Sequence, residues 1–229
     1  MASIESNLQN VRAKVAKAAI KAGRKPEDIQ IVAVTKTVDI PQIEEAIAAG
    51  VTAIGENRVQ EVMRKQPLLH NNVDWHLIGH LQTNKVKYII DGVRLIHSVE
   101  SLSLVKEISK RAVQKGIIMP ILVQVNVAKE ETKHGLEIEQ VIPFLKETAG
   151  YQGAEVQGLM TMAPLVDDPE EVRFVFKELR LLAERINGEI IPGVEMKHLS
   201  MGMTNDYEVA VEEGATLVRV GTGIFGKRI

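Results

Sequence analysis

From residue 28 onward, short apolar and β-branched runs alternate with longer segments whose apolar residues recur at helical spacing. The short runs predict strands at 29–36, 52–56, 74–80, 95–99, 120–127, 155–162, 197–201 and 216–221. The longer segments predict helices at 41–49, 57–66, 84–90, 101–115, 137–148, 169–187 and 205–213. Pro41, Ser101 and the Asp168-Pro169 pair supply helix entries, and Gly50, Gly116 and Gly214 stand where helices stop. Ahead of the first strand, Ile4, Leu8, Val11, Val15 and Ala19 line one stripe of a helix over 3–22, ended by Gly23.

Strict alternation of strand and helix implies parallel strands joined by right-handed crossovers. Eight such units are the number that closes a barrel. An open doubly wound sheet is the competing architecture, but it more often runs to five or six strands. The expected fold is therefore α/β: a single (β/α)8 TIM-type barrel with an additional N-terminal helix. After the eighth strand only TGIFGKRI remains, too short for a full helix, so the N-terminal helix is expected to fill that gap in the outer ring. With no linker, repeat or low-complexity stretch, residues 1–229 read as one domain.

Composition narrows the function. Hydrophobic residues at 45% and charged residues at 25% are those of an ordinary soluble domain. A net charge of -2 gives no reason to expect nucleic acid or an anionic membrane as partner, and 3% aromatics weakens base stacking. The absence of cysteine excludes disulfides, thiolate catalysis and cysteine-ligated metals, and fits a reducing compartment. No apolar run approaches the ~20 residues of a membrane span, and the N-terminus lacks a signal-peptide core. The expected setting is the cytoplasm.

Candidate chemistry gathers where a barrel binds ligands, at the C-terminal ends of its strands. In IVAVTKTVDI, residues 31–40, Lys36 ends the first strand. A strand-end lysine usually lays its stem on apolar surface and its ammonium in water. Here Val32, Val34 and Lys36 share parity and are expected to point to the barrel axis. The loops SMGMTND (200–206) and GTGIFG (221–226) follow the seventh and eighth strands, a recurrent place for a phosphate in barrels. Each alone is a tight turn; together, at adjacent strand ends, they point to phosphate. GTGIFG also matches a dinucleotide fingerprint, but only Lys227, Arg228 and Ile229 follow it, where a helix and a further strand would be needed. His76 and His80, on one strand face about 13 Å apart, cannot chelate one ion together, and no metal site is expected. His76 reads as a core residue and His80 as a site-lining or loop-capping one. A rim lysine beside a phosphate site suits a Schiff base with pyridoxal 5'-phosphate, and burial would lower its amine pKa.

The stretches VAVTK (32–36), GENRVQE (55–61), WHLIGHLQTNK (75–85), LSMGMTND (199–206) and VRVGTGIFG (218–226) together carry a resemblance across essentially the whole chain. The chain resembles the pyridoxal phosphate homeostasis protein family, also called proline synthase co-transcribed homologs, which is related to the barrel domain of alanine racemases (fold type III). The resemblance implies a covalent aldimine of pyridoxal 5'-phosphate to Lys36, with Asn57 in the loop bordering the cofactor ring. It also implies a phosphate cup of Ser200, Met201, Gly221 and Thr222. Arg219 matches an arginine that faces either the pyridine nitrogen or the phosphate. Thr204 departs from the family's usual serine but keeps a hydroxyl.

The related racemases carry a second, β-rich domain that supplies a second catalytic base, whereas this sequence stops at its eighth strand. The resemblance thus implies a protein of vitamin B6 homeostasis that holds the cofactor and buffers or delivers it, with apo-enzymes as acceptors and no established catalytic activity. A low-activity racemase, an interaction protein with a vestigial site and a barrel enzyme for another phosphorylated metabolite stay open.

Overall fold

The structure is a computed structural model that describes residues 3–69, 73–130 and 134–226. Eight parallel strands close into a barrel in sequence order. They are β1 (Gln30–Val34), β2 (Ala53–Glu56), β3 (Asp74–Leu77), β4 (Leu95–Val99), β5 (Met119–Gln124), β6 (Ala154–Met160), β7 (Val194–Met203) and β8 (Leu217–Val220). Around them run α1 (Ile4–Lys21), α2 (Ile40–Ala48), α3 (Val59–Lys65), α4 (Leu102–Lys115), α5 (Ile138–Thr148), α6 (Arg173–Gly188), α7 (Tyr207–Glu212) and α8 (Thr222–Phe225). Between β3 and β4 the expected helix is a 3-10 segment, Thr83–Tyr88. Every expected strand is present, but the ends differ: β1 stops two residues before Lys36, β3 stops at Leu77, and β7 runs on to Met203.

The period of two along each strand sorts side chains into two cores. Val32, Ala53, Leu95, Leu122, Met160 and Leu217 meet inside the barrel. Their neighbours in sequence, Ala33, Ile54, Ile96, Val123, Leu159 and Val218, face the helices in the larger outer core. β1 pairs with β8, Gln30 beside Leu217 and Val32 beside Arg219, which completes the ring. As expected, α1 fills the outer-ring gap left by the four-residue α8, packing on α7, α8 and α2. Its Leu8, Val11 and Val15 are buried, and Asn7 Nδ2 donates to the carbonyl of Ile224 at 2.9 Å.

A buried ion pair ties the rim to this outer layer. Lys65, at the end of α3, is fully buried; its Nζ donates to Glu56 Oε1 and to the carbonyl of Thr35, both at 2.7 Å. Thr35 Oγ1 donates to the same Glu56 oxygen at 2.7 Å, and Glu61 Oε2 lies 3.2 Å from the lysine. The group thus grips the residue immediately before Lys36. Removing one charge would strand the other in a dry site, a loss of about 3–5 kcal/mol. Lys65→Met is expected to destabilise the chain by about that amount in urea unfolding. Glu56→Leu with Lys65→Met should recover part of it, the Thr35 carbonyl still lacking its donor. A single variant as stable as the wild type would show that the pair does not clamp the rim.

Candidate functional site

At the C-terminal end of the barrel lies a cavity of about 430 Å³ walled by Val34 and Lys36, Pro164 and Leu165, Met203 to Asp206, Arg219, Gly221 and Thr222. Lys36 stands in a turn two residues past β1 and is half-buried rather than buried. The turn is held from two directions: the Thr35 carbonyl accepts from Val38 N–H at 3.0 Å as well as from Lys65. Thr37, with φ of 61°, turns the chain away in the left-handed region. Val32, Val34 and Lys36 do share the inner face, as their parity requires: the first lies in the inner core and the other two on the cavity wall.

The β7 loop forms the opposite wall. Gly202 has φ of +88°, and a Cβ there would stand 2.6 Å from Ala210 Cβ, so only glycine lets this loop lie against α7. Asp206 Oδ1 accepts the Met203 N–H at 2.5 Å and closes the turn. Thr204 Oγ1 faces the N–H groups of Gly221 and Gly223 at 3.4 and 3.3 Å, joining this loop to the one after β8. The hydroxyl kept at position 204 therefore caps main-chain donors at the cavity wall.

Arg219 is the electrostatic centre. Its guanidinium is buried; Nη1 donates to Ser200 Oγ at 2.5 Å and Nη2 to the Thr161 carbonyl at 2.8 Å, so neither hydrogen bond reaches a carboxylate. Desolvation pushes its pKa down to about 10, opposed by the charge of Asp206, which leaves it a cation at neutral pH. Ser200 Oγ also pairs with His97 Nδ1 at 2.8 Å, and His97 Nε2 with His76 Nδ1 at 2.9 Å. Arginine can only donate. With Ser200 Oγ accepting from Arg219, its own hydrogen is free to donate to His97 Nδ1, and His97 Nε2–H can then donate to His76 Nδ1, one of the tautomer assignments that satisfies both contacts. Burial holds both histidines neutral: His76 is lowered to about 4, and His97 falls well below its ordinary value with His76 and Arg219 adding to the effect.

Of the expected residues, Lys36, Arg219, Gly221 and Thr222 share the cavity wall. Asn57 follows β2, and its Oδ1 is buried without a hydrogen-bond partner. Ser200 faces the barrel axis and meets Arg219 and His97, while Met201 packs outward in the helix-facing core. His76 is the core residue expected of it; His80 is absent from this cavity wall. Pro164, Leu165, Met203, Asn205 and Asp206 complete the wall without having been singled out, although MTMAP and SMGMTND contain all of them but Leu165, which follows MTMAP directly. His97 was missed, and its only signal is its inward parity in LIHSV. A larger groove of about 770 Å³, among Leu8, Arg12, Pro26 and Thr52, lies at the other end of the barrel, where barrels carry stability rather than chemistry.

The family model described as alanine racemase, N-terminal domain, matches residues 2–228. The pyridoxal phosphate homeostasis protein of Aquifex aeolicus is 43% identical over 222 residues, 96% of each chain. PipY of Synechococcus elongatus PCC7942, solved with pyridoxal phosphate (PLP) bound, is 34% identical with a TM-score of 0.81 and covers 93% of this chain and 100% of PipY. An alanine racemase of Clostridium difficile 630 shares the fold, with a TM-score of 0.77 at 14% identity, across 99% of this chain and 57% of its own. The chain belongs to the pyridoxal phosphate homeostasis protein family. Among the described residues no helix is long and apolar enough to cross a membrane.

The neutral histidine column has a pH consequence. Unfolding releases His76 and His97 to the ordinary value of about 6.5, so below it the unfolded chain binds protons that the folded chain refuses. Their stabilising contribution is complete above pH ~6.5 and falls as the pH drops toward about 4, by up to ~1.4 kcal/mol per pH unit for each histidine. Urea unfolding between pH 7 and 4.5 should show this loss, reduced in His76→Gln. Identical slopes in the two chains would remove His76 from the titration.

Proposed function

We propose that this chain binds pyridoxal 5'-phosphate in the rim cavity, with Lys36 as the covalent anchor, and serves cofactor homeostasis by holding and handing over the cofactor. The observation that carries the reading is a lysine amine and a buried guanidinium, bonded to no carboxylate, on the wall of one cavity. Such a cation calls for an acceptor or anion from a ligand. The donor set suits the cofactor: the Lys36 amine for its aldehyde, and the Thr204 and Thr222 hydroxyls for its phosphate, Thr204 being held in place by the Gly221 and Gly223 N–H groups. The buried Oδ1 of Asn57 has no hydrogen-bond partner, but Asn57 is not among the residues that wall this cavity. A cavity of about 430 Å³ is within the usual range for a small ligand. When bound, the cofactor supplies an electrophilic carbonyl and an electron-accepting ring.

Ser200 and the Thr161 carbonyl fix the direction of Arg219, and Met201 anchors the same strand from the outer core. Ser200 thereby acts on the ligand through Arg219, and Met201 through the main chain. A fixed cation facing the ring nitrogen would keep it unprotonated and weaken the ring as an electron sink; facing the phosphate, it would add retention. Of the described residues on the cavity wall, the ionisable ones are Lys36, Asp206 and Arg219, and Asp206 is committed to the Met203 N–H. Among the described residues no base beyond Lys36 and the already engaged Asp206 stands on that wall. General acid–base assistance is commonly worth ~10²–10⁴-fold, so amino-acid turnover in this cavity should be slow. A link between an amine and an aldehyde exchanges with other amines, so delivery to apo-enzymes in the cytoplasm needs no further reagent.

The test is to load the chain with the cofactor, remove the excess, and mix it with an apo-enzyme that requires it. Recovery of that enzyme's activity is expected, together with near-background racemisation and decarboxylation across a panel of D- and L-amino acids. Lys36→Ala should keep the fold and lose retention, since the change empties no core site. Turnover at ordinary enzyme rates of about 1–10³ s⁻¹ would overturn the carrier reading. A loaded chain that restores no apo-enzyme would overturn delivery.

A further inference from the structure

We propose that His80, Glu100 and His134 form a binding site for a divalent transition-metal ion of the Zn²⁺ class, separate from the rim cavity and independent of the cofactor reading. The three come from different segments: His80 from the loop after β3, Glu100 from the position after β4, and His134 from the loop between β5 and α5. Their ligand atoms all lie within 4.8 Å of one another. Glu100 Oε1 is 3.5 Å from His80 Nδ1 and 3.1 Å from His134 Nδ1. Zinc bonds of 2.0–2.2 Å in a tetrahedron place neighbouring ligand atoms about 3.3 Å apart, so these separations bracket the spacing that an ion requires.

The cluster is built rather than accidental in its anchoring. Ser98 Oγ donates to the Gly79 carbonyl at 2.6 Å, tying the main chain beside His80 to β4, the strand that Glu100 follows. Gln124 Nε2 donates to the His134 carbonyl at 3.0 Å, holding the third ligand against β5. The two imidazole rings stack, 4.5 Å between centroids at 20°. Both turn Nδ1 toward a single carboxylate oxygen, and a contact of 3.5 Å is long for a hydrogen bond. A metal ion in their midst would take both nitrogen lone pairs and the carboxylate at once.

Two imidazoles and one carboxylate are a borderline donor set with no thiolate, suited to Zn²⁺, Ni²⁺ or Co²⁺ rather than to Ca²⁺ or Mg²⁺. Three protein ligands leave one position open. It would face a polar cavity of about 460 Å³ whose wall includes Gln82, Thr83, Asn84 and Ser101, groups able to hold a bound water. The imidazole side chains are 49% and 61% exposed against 19% for Glu100, so an ion can reach the site and the ligands can be replaced without opening a core.

The experiment uses the full chain, without an affinity tag and stripped by a chelator, titrated with Co²⁺ by visible absorption and with Zn²⁺ against a chromophoric chelator. One ion per chain is expected. Because loss of a mere supporting partner commonly costs 10–100-fold in affinity, His80→Gln, Glu100→Gln and His134→Gln should each weaken binding by at least about tenfold. Lys36→Ala should leave it unchanged. In the unsubstituted chain, Zn²⁺ should protect His80 and His134 from acylation by diethyl pyrocarbonate, read by peptide mass spectrometry. Undiminished binding in the triple variant, no saturable binding below about 1 mM, the weak end of physiological metal sites, or modification of both histidines at saturating Zn²⁺ would each overturn the assignment.

Discussion

Pairing of the first strand with the last is the constraint on which the molecule depends. With Gln30 beside Leu217 and Val32 beside Arg219, no sheet edge is left open, and residues from opposite ends of the sequence become neighbours. Lys36 follows one of these strands, Gly221 and Thr222 the other, and both sets reach the same cavity. An open sheet of the same strands would hold the lysine and the glycine loop at opposite edges. Barrel closure therefore creates the site as well as the core, and α1 seals the seam by covering the short α8.

The interior above the apolar layer is less conventional. Val32, Leu95, Leu122 and Leu217 fill the barrel as large aliphatic residues usually do. Beyond them, His76, His97, Ser200 and Arg219 make a hydrogen-bonded column that spends interior space on polar groups. Apolar replacements would serve stability as well or better, which points to positioning of Arg219 as the column's role. The Thr35–Glu56–Lys65 group does the same for Lys36 from outside the barrel wall. Each of the two charged groups on the cavity wall that suit the cofactor is thus oriented by buried polar partners.

Strand existence was legible in the sequence from short β-branched runs such as IQIVAV, and the period of two back from Lys36 through Val34 to Val32 marked the axis-facing positions. Strand ends were not. β1 stops early because the Thr35 carbonyl turns to Lys65 and Val38, and Thr37 adopts a left-handed conformation that no local residue preference announces. β7 continues through Gly202, a residue that by itself suggests a turn, since the loop must press against α7. The motif stretches located the cavity, but they could not say that Ser200 meets Arg219 and His97, because that depends on register across the barrel. Lys65 shares the helix stripe of Val59 and Val62, yet only the fold shows why a lysine is tolerated there, buried against Glu56. His80 illustrates the same limit, since its partners Glu100 and His134 come from other strand ends.

The central claim is that closure places one particular lysine against the cofactor. Its most direct measurement is borohydride reduction of the chain equilibrated with pyridoxal 5'-phosphate, followed by proteolysis and mass spectrometry of the modified peptide. The account predicts a single adduct on the peptide carrying Lys36, abolished by competing amine and absent from Lys36→Ala. An adduct that maps chiefly to another lysine, or one that persists at the same yield in Lys36→Ala, would contradict it.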